Sequence, residues 1–245
     1  MIEAASQRSS EPGEPCPFGL CDSSGFIVDE QTNTASDCRC RSRRIARARA
    51  ARLEARIPRR YVGLSFEQLE GDMLAAFPEQ IRVVRRFSGH ISESLEQGRG
   101  VWIMGDVGTG KTALAMMISR AALEAGHTVA IYSLPRLLNL IRESIEREEG
   151  VVGFLDRLST VDLLHVDDVG AESRTDWALE QLYSIVNARY EDSRSIVVTT
   201  NLDPNELGER IGRRTVSRLV EMCGDPLPLF GQDRRRELRL PSQLG

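Results

Sequence analysis

Residues 105–112 read G-D-V-G-T-G-K-T and match G-x-x-x-x-G-K-[ST] in full. Chemistry explains each position. Gly105, Gly108 and Gly110 let the backbone wrap a phosphate without a Cβ in the way. The amides of the whole stretch, through Asp106, Val107 and Thr109, then point inward at the anion. Lys111 is the one lysine in a chain with 31 arginines, and it is expected against the β- and γ-phosphates. The guanidinium is too broad and planar to replace it there. Thr112 is expected to ligate Mg²⁺.

Two further groups belong with such a loop. The run Leu163-Leu164-His165-Val166-Asp167-Asp168 is apolar and ends in two carboxylates. Asp167 is placed to hold Mg²⁺ through water, and Asp168 to polarise a water attacking the γ-phosphate. Many hydrolytic ATPases carry Glu at the second place, and the shorter Asp points to slow turnover. His165 reads as a packed strand residue. The triplet Thr199-Thr200-Asn201 closes another apolar run. Asn201 can reach the γ-phosphate or the lytic water, or it can be a turn residue ahead of Asp203-Pro204.

The cysteines suggest a second kind of site. Cys16, Cys21, Cys38 and Cys40 are spaced C-x4-C-x16-C-x-C, and four thiolates can close a tetrahedral zinc shell. One structural zinc is the expectation, with free thiols or a redox pair as the alternatives. Cys223 stands apart and reads as a core residue.

The elements that must position these groups follow from pattern. Residues 1–15, rich in Ser, Glu and Pro, read as a disordered tail. Residues 16–56 combine the cysteine module with an Arg-rich helix over 41–56, stopped by Pro58. Residues 57–245 form one α/β domain. A helix is predicted over 79–97 from the spacing of Ile81, Val84, Phe87, Ile91 and Leu95. Strands are predicted at 101–105, 128–133, 161–167 and 195–200. Helices are predicted at 112–125, 135–148, 151–158, 176–191, 204–209 and 213–222, and a short strand, turn and last strand within 227–240. Strands alternating with helices imply a mostly parallel sheet covered on both faces.

Charge and composition narrow the setting. Of the 245 residues 41% are hydrophobic and 28% charged, an ordinary globular balance. No apolar run approaches the roughly 18 residues that span a bilayer. The polar, acidic start lacks the apolar stretch of a secretory signal, so a cytoplasmic protein with reduced thiols is expected. Residues 1–38 carry seven acids and one Arg, whereas residues 39–60 carry ten Arg and one Glu. The basic block suits an anionic partner or a solvated linker helix.

The ordered motifs G-D-V-G-T-G-K-T, L-L-H-V-D-D-V-G-A-E, T-T-N-L, R-R-T-V-S-R-L and G-Q-D-R-R resemble the AAA+ ATPases of the DnaC/IstB type. These are bacterial replicative helicase loaders and the ATPase subunit of one transposon class. I-P-R-R-Y (57–61) resembles the segment leading into that core, so the likeness covers about residues 57–240. It implies an AAA+ P-loop NTPase core with five parallel strands in the order 5-1-4-3-2, preceded by the Cys₄ module and basic helix. It implies that Asn201 is sensor 1. Arg218, in Ser217-Arg218-Leu219, would be an arginine finger acting on a neighbour's ATP in a ring or spiral. Arg235 would be an arginine near the nucleotide. The helices over 135–158 would line a path for single-stranded DNA, with Arg136 and Arg142 as contacts.

Two functions fit this resemblance. One is a loader that grips a hexameric helicase through its N-terminal module and places it on single-stranded DNA. The other is a helper that binds duplex DNA and stimulates a transposase. A small-metabolite kinase is the reading outside the family; it would lack the Asn201 strand end and the Arg218 helix.

Overall fold

The structure, a computed structural model, describes residues 15–29, 31–41, 44–45, 53, 55–66, 72–145, 150–171 and 175–233. The chain divides into two compact units, Met1–Ala48 and Arg49–Gly245.

In the first unit, β1 (Phe26–Asp29) pairs antiparallel with β2 (Thr34–Asp37). Among its described residues only Gly25, Cys38 and Cys40 are buried, and Phe18, Leu20 and Val28 stand exposed. A segment this short cannot enclose a hydrophobic core. Its order centres on the cysteines instead. Of the predicted Arg-rich helix, residues 42–43, 46–52 and 54 lie outside the described residues, as do residues 1–14 of the predicted tail. The helix does not reach Arg56: Leu53 and the stretch 55–58 are non-helical. Pro58 disfavours helical geometry at Ile57, so the chain straightens before it.

The second unit opens with α1 (Arg59–Val62), α2 (Asp72–Ala76), α3 (Pro78–Gly89) and α4 (Ile91–Glu96). The helix expected over 79–97 is thus two helices meeting at His90, whose φ and ψ are −116° and 36°. Ser88-Gly89 weakens the helix there, and His90 Nδ1 lies 3.1 Å from the Arg86 carbonyl. The pattern of apolar spacing survives the break, since Ile81, Val84, Ile91 and Leu95 share one buried cluster.

The rest alternates strand and helix. It runs β3 (Val101–Gly105), α5 (Lys111–Glu124), β4 (Val129–Ser133), α6 (Leu134–Ser144), α7 (Gly150–Thr160) and β5 (Leu163–Asp167). Then come α8 (Asp176–Glu191), β6 (Ser195–Thr200), α9 (Pro204–Ile211), α10 (Arg213–Cys223) and β7 (Leu227–Leu229). All neighbouring strands of this sheet are parallel, in the order β4-β5-β6-β3-β7. Numbered from β3 as the first, this is 5-1-4-3-2. β3, β4, β5 and β6 are buried along nearly their whole length, so their sequences are mostly apolar, whereas the edge strand β7 is only partly buried. Trp102, Leu164, Val166, Ile196 and Val198 pack with Leu137, Leu158, Leu182 and Leu219 on one side. Val101, Ile103, Ile131, Leu163 and Val197 pack with Ile81, Leu114 and Ile118 on the other. The alternation is that of a pleated sheet with helices on both faces.

This order positions the site. β5, β6 and β3 are adjacent and parallel, so their C-terminal ends lie side by side. The loops after Gly105, Asp167 and Thr200 therefore converge, where open parallel sheets place their ligands.

Candidate functional site

The phosphate loop joins β3 to α5 through a backbone that only glycine allows. Gly105 has φ +141°, and a Cβ there would overlap the Leu229 carbonyl of β7. Gly110 caps α5 at φ +101°, and a Cβ there would come within 2.5 Å of Met73 Cε on α2. Gly108 has φ +83°, and the Asp233 carboxylate lies where a Cβ there would go, so the lack of a side chain on these glycines leaves the N-terminal amides of α5 in the arrangement that binds phosphate. Thr109 Oγ1 donates to the Asp106 carbonyl at 2.8 Å and holds the curve. The turn after β7 closes one side: Asp106 N donates to Leu229 O at 3.1 Å, and Gly231 N donates to Asp106 Oδ2 at 2.9 Å. Val107 is 52% exposed.

Lys111 is buried, and its Nζ donates to the carbonyls of Gly105 (2.9 Å) and Asp106 (2.6 Å). The ammonium is folded onto its own loop, within reach of the phosphate position. Thr112 Oγ1 donates to Asp167 at 3.0 Å (Oδ1) and 3.2 Å (Oδ2). The hydroxyl and the carboxylate are the two oxygens a magnesium ion would share, and they already touch across 55 residues of sequence. Hard oxygen donors of this kind suit Mg²⁺, which keeps most of its waters and takes phosphate as its other ligand.

Asp168 sits one residue on and faces elsewhere. Its backbone is left-handed, φ +60°, which separates its side chain from that of Asp167. Asn201 Nδ2, from the end of β6, donates to Asp168 Oδ1 at 3.2 Å. Two residues from distant motifs, each related in the sequence to the γ-phosphate or its water, are therefore in contact. Asn201 also starts the bend that leads to α9, which Asp203 caps in a capping box with Glu206. Thr199 also belongs here and has no role in the sequence reading. Its Oγ1 donates to Asp167 Oδ1 at 2.6 Å and accepts the Asp168 amide at 2.9 Å. The one sequence signal was the polarity of Thr199-Thr200 at the end of an apolar strand.

His165 is fully buried on β5, and its Nδ1 lies 2.9 Å from Ser119 Oγ on α5. Burial pushes its pKa down to about 4, and the nearby Asp167 carboxylate opposes this, so the ring is neutral at pH 7. It is a packed strand residue, as the sequence suggests. Cys223 packs against the core, and burial pushes its thiol up to about 12.

Arg218, on α10, stacks over the Tyr190 ring of α8 at 4.1 Å and reaches Glu221 at 3.6 Å. On α6, Arg136 lies 3.7 Å from Glu143, and Arg142 stacks on Trp177 at 4.6 Å. Arg235 and the predicted last strand lie outside the described residues.

In the first unit the four cysteines converge. Their sulfurs all lie within 4.8 Å of one another, with Cys16–Cys38 at 3.8 Å and Cys21–Cys40 at 3.5 Å. A tetrahedral zinc with Zn–S bonds of about 2.3 Å has S–S edges of about 3.8 Å, so the set fits that ion. Although desolvation opposes it, amides of Leu20, Phe18 and Cys21 bring the Cys16 thiol down to about 6. Desolvation and the neighbouring thiols push Cys40 up to about 12.

Strand order, phosphate loop and the two polar strand ends define a P-loop nucleotide-binding protein with the AAA+ arrangement. The chain belongs to the family of IstB-like ATP-binding proteins, whose pattern matches residues 81–220. It is 22% identical over 189 residues to the replicative helicase loader DnaI of Bacillus subtilis, covering 71% of this chain and 59% of that one. It is 28% identical over 139 residues to the ATP-binding protein of insertion sequence IS21 from Pseudomonas aeruginosa, covering 57% and 51%. The chain thus spans about half to three-fifths of the length of such relatives. The crystal structure of the DnaC helicase loader has the same fold, with a TM-score of 0.61 at 23% identity over 70% of this chain and 99% of that one.

Proposed function

We propose that this chain is an ATPase that places a hexameric replicative helicase on single-stranded DNA in the cytoplasm. The carrying observation is the meeting of two pairs beside the phosphate loop: Thr112 with Asp167 at 3.0 Å, and Asp168 with Asn201 at 3.2 Å. In this reading the amides of residues 105–112 receive the phosphates of ATP. Lys111 leaves the loop carbonyls for the β- and γ-phosphates. Thr112 and Asp167 hold Mg²⁺, whose charge offsets that of the phosphates. Asp168 takes a proton from a water held with the help of Asn201. The water oxygen bonds to the γ-phosphorus as the bond to the β-phosphate oxygen breaks, releasing ADP and phosphate. Arg218 reaches the developing charge from a neighbouring subunit.

The four cysteines hold one structural zinc, which orders a unit too small for a core. That unit, followed by the Arg-rich block, supports a surface that grips the helicase. The named loader among the relatives supports the same choice. A transposase helper is the second reading, supported by the IS21 relative.

The test uses the chain with a replicative hexameric helicase, a single-stranded DNA circle and a duplex. ATP-dependent transfer of helicase to the circle is expected. Binding to duplex alone, with no association with helicase, would overturn the loader reading in favour of the helper.

A further inference from the structure

Thr199 is the residue about which the two carboxylates are arranged. It stands at the end of the strand between β3 and β5 and is 1% exposed. A hydroxyl has one proton and two lone pairs. Here the proton goes to Asp167 Oδ1 at 2.6 Å, and a lone pair takes the Asp168 amide at 2.9 Å. One oxygen thus touches the side chain of the first carboxylate residue and the backbone of the second.

The backbone it touches is unusual. Asp168 has φ +60°, a conformation that residues with a Cβ seldom adopt outside tight turns. The strand holds that turn at three points. Besides the Thr199 hydroxyl, the Thr199 carbonyl accepts Val169 N at 2.8 Å, and Thr200 Oγ1 donates to the Val169 carbonyl at 2.7 Å. The regular pairing of β5 with β6 ends at Val166↔Val198, so these bonds replace the ladder where it stops. The outcome is a divergence of neighbours: Asp167 turns to Thr112, and Asp168 turns to Asn201. Strand propensity does not require a hydroxyl here, because Val would fill the same space. A Val would leave the Asp168 amide and one Asp167 oxygen without this partner.

We propose that Thr199 is a positioning residue that sets the Mg²⁺-facing carboxylate and the water-facing turn together. Mg²⁺-linked nucleotide affinity and the turnover step therefore depend on one hydroxyl that acts through Asp167 Oδ1 and the Asp168 amide. This rests on the ATPase reading of the site.

The experiment compares the full chain with Thr199→Val and Thr199→Ser. In nucleotide-free protein, exchange of the Asp168 amide should be faster in Thr199→Val and like the parent in Thr199→Ser. A non-hydrolysable ATP analogue should bind all three alike without Mg²⁺, within about 3-fold. The gain in affinity on adding Mg²⁺ should shrink in the Val variant alone. Saturated ATP turnover should fall by roughly 10²-fold in the Val variant, the size typical of a small misplacement at a reacting centre. The Ser variant should regain most of it. If Thr199→Val fails to fold, Thr199→Ala takes the same measurements. Parent-like Mg²⁺ dependence in the Val variant, or equal losses in Val and Ser, would overturn the role of the hydroxyl. A parent chain without turnover would sink the ATPase reading by itself, and the Mg²⁺-linked affinity would still decide the role of Thr199.

Discussion

Arg218 lies over the ring of Tyr190, its guanidinium carbon 4.1 Å from the ring centre, and Tyr190 donates its hydroxyl to Glu221 at 2.6 Å. Glu221 also faces Arg218 at 3.6 Å, so the three side chains of α8 and α10 form one cluster. The arginine that resemblance marks as a trans finger is held in a defined direction. Arg–aromatic stacking of this kind limits the rotamers of a long side chain.

Such a finger predicts complementation between subunits. Arg218→Ala and Lys111→Ala chains should each be inactive alone, and a mixture should regain part of the ATPase. The first supplies an intact phosphate loop and the second an intact arginine. A trans arginine is worth about 10³–10⁵ in rate in related phosphate chemistry. Full ATPase from Arg218→Ala alone, with single-stranded DNA and helicase present, would place the finger elsewhere, with Arg210, Arg213 and Arg214 next in line.

Lys111→Ala should abolish ATP binding while the far-UV spectrum stays native. Its Nζ contacts are with loop carbonyls, so removal empties the loop of its one cation and leaves the strand and helix intact. Nucleotide titration by fluorescence anisotropy checks this, and unchanged affinity would sink the phosphate-loop reading.

The two strand-end carboxylates should separate by function. Asp167→Ala should weaken Mg²⁺-dependent binding, because the carboxylate beside Thr112 that would hold the ion is lost. Asp168→Asn should keep binding and slow turnover by roughly 10²-fold or more, the size of lost general-base help. Single-turnover kinetics at saturating ATP tell the two apart. A parent-like rate in Asp168→Asn removes the water-activating role.

Metal analysis should return about one zinc per chain, the number one tetrahedral Cys₄ shell holds. Cys16→Ser or Cys40→Ser should lose it. The ATPase unit should still melt cooperatively in these variants, since none of its strands or helices includes those cysteines. Zinc-free parent protein purified under reducing, chelator-free conditions would contradict this.

Single-stranded DNA should bind in an ATP-dependent way, more weakly as salt rises, because Arg–phosphate pairing releases counterions. Arg136→Ala and Arg142→Ala should each reduce the slope of log affinity against log salt by about 0.7 for every phosphate left unneutralised. Arg142 is tied to Trp177 at 4.6 Å, so its removal also frees an aromatic face. Unchanged slopes in both variants would move the DNA-binding surface to the Arg-rich block at residues 39–60.

The sequence by itself determines the phosphate loop, because eight contiguous residues carry both the bond rotations and the charge that a phosphate cradle needs. It also determines most strands, because a sheet buried on both faces demands continuous apolar runs such as V-W-I-M and S-I-V-V. The strand order came only through resemblance, since no run of apolar residues states its neighbour. The break at His90 was hidden because the apolar spacing continues across it. The partners of the site lie far apart along the chain: Thr112 meets Asp167 across 55 residues, and Asp168 meets Thr199 across 31. Hydrogen bonds of that kind depend on distances of a few tenths of an ångström and on the direction of a lone pair. Only the packed sheet, which brings β5, β6 and β3 side by side and forces Asp168 into a left-handed turn, decides them.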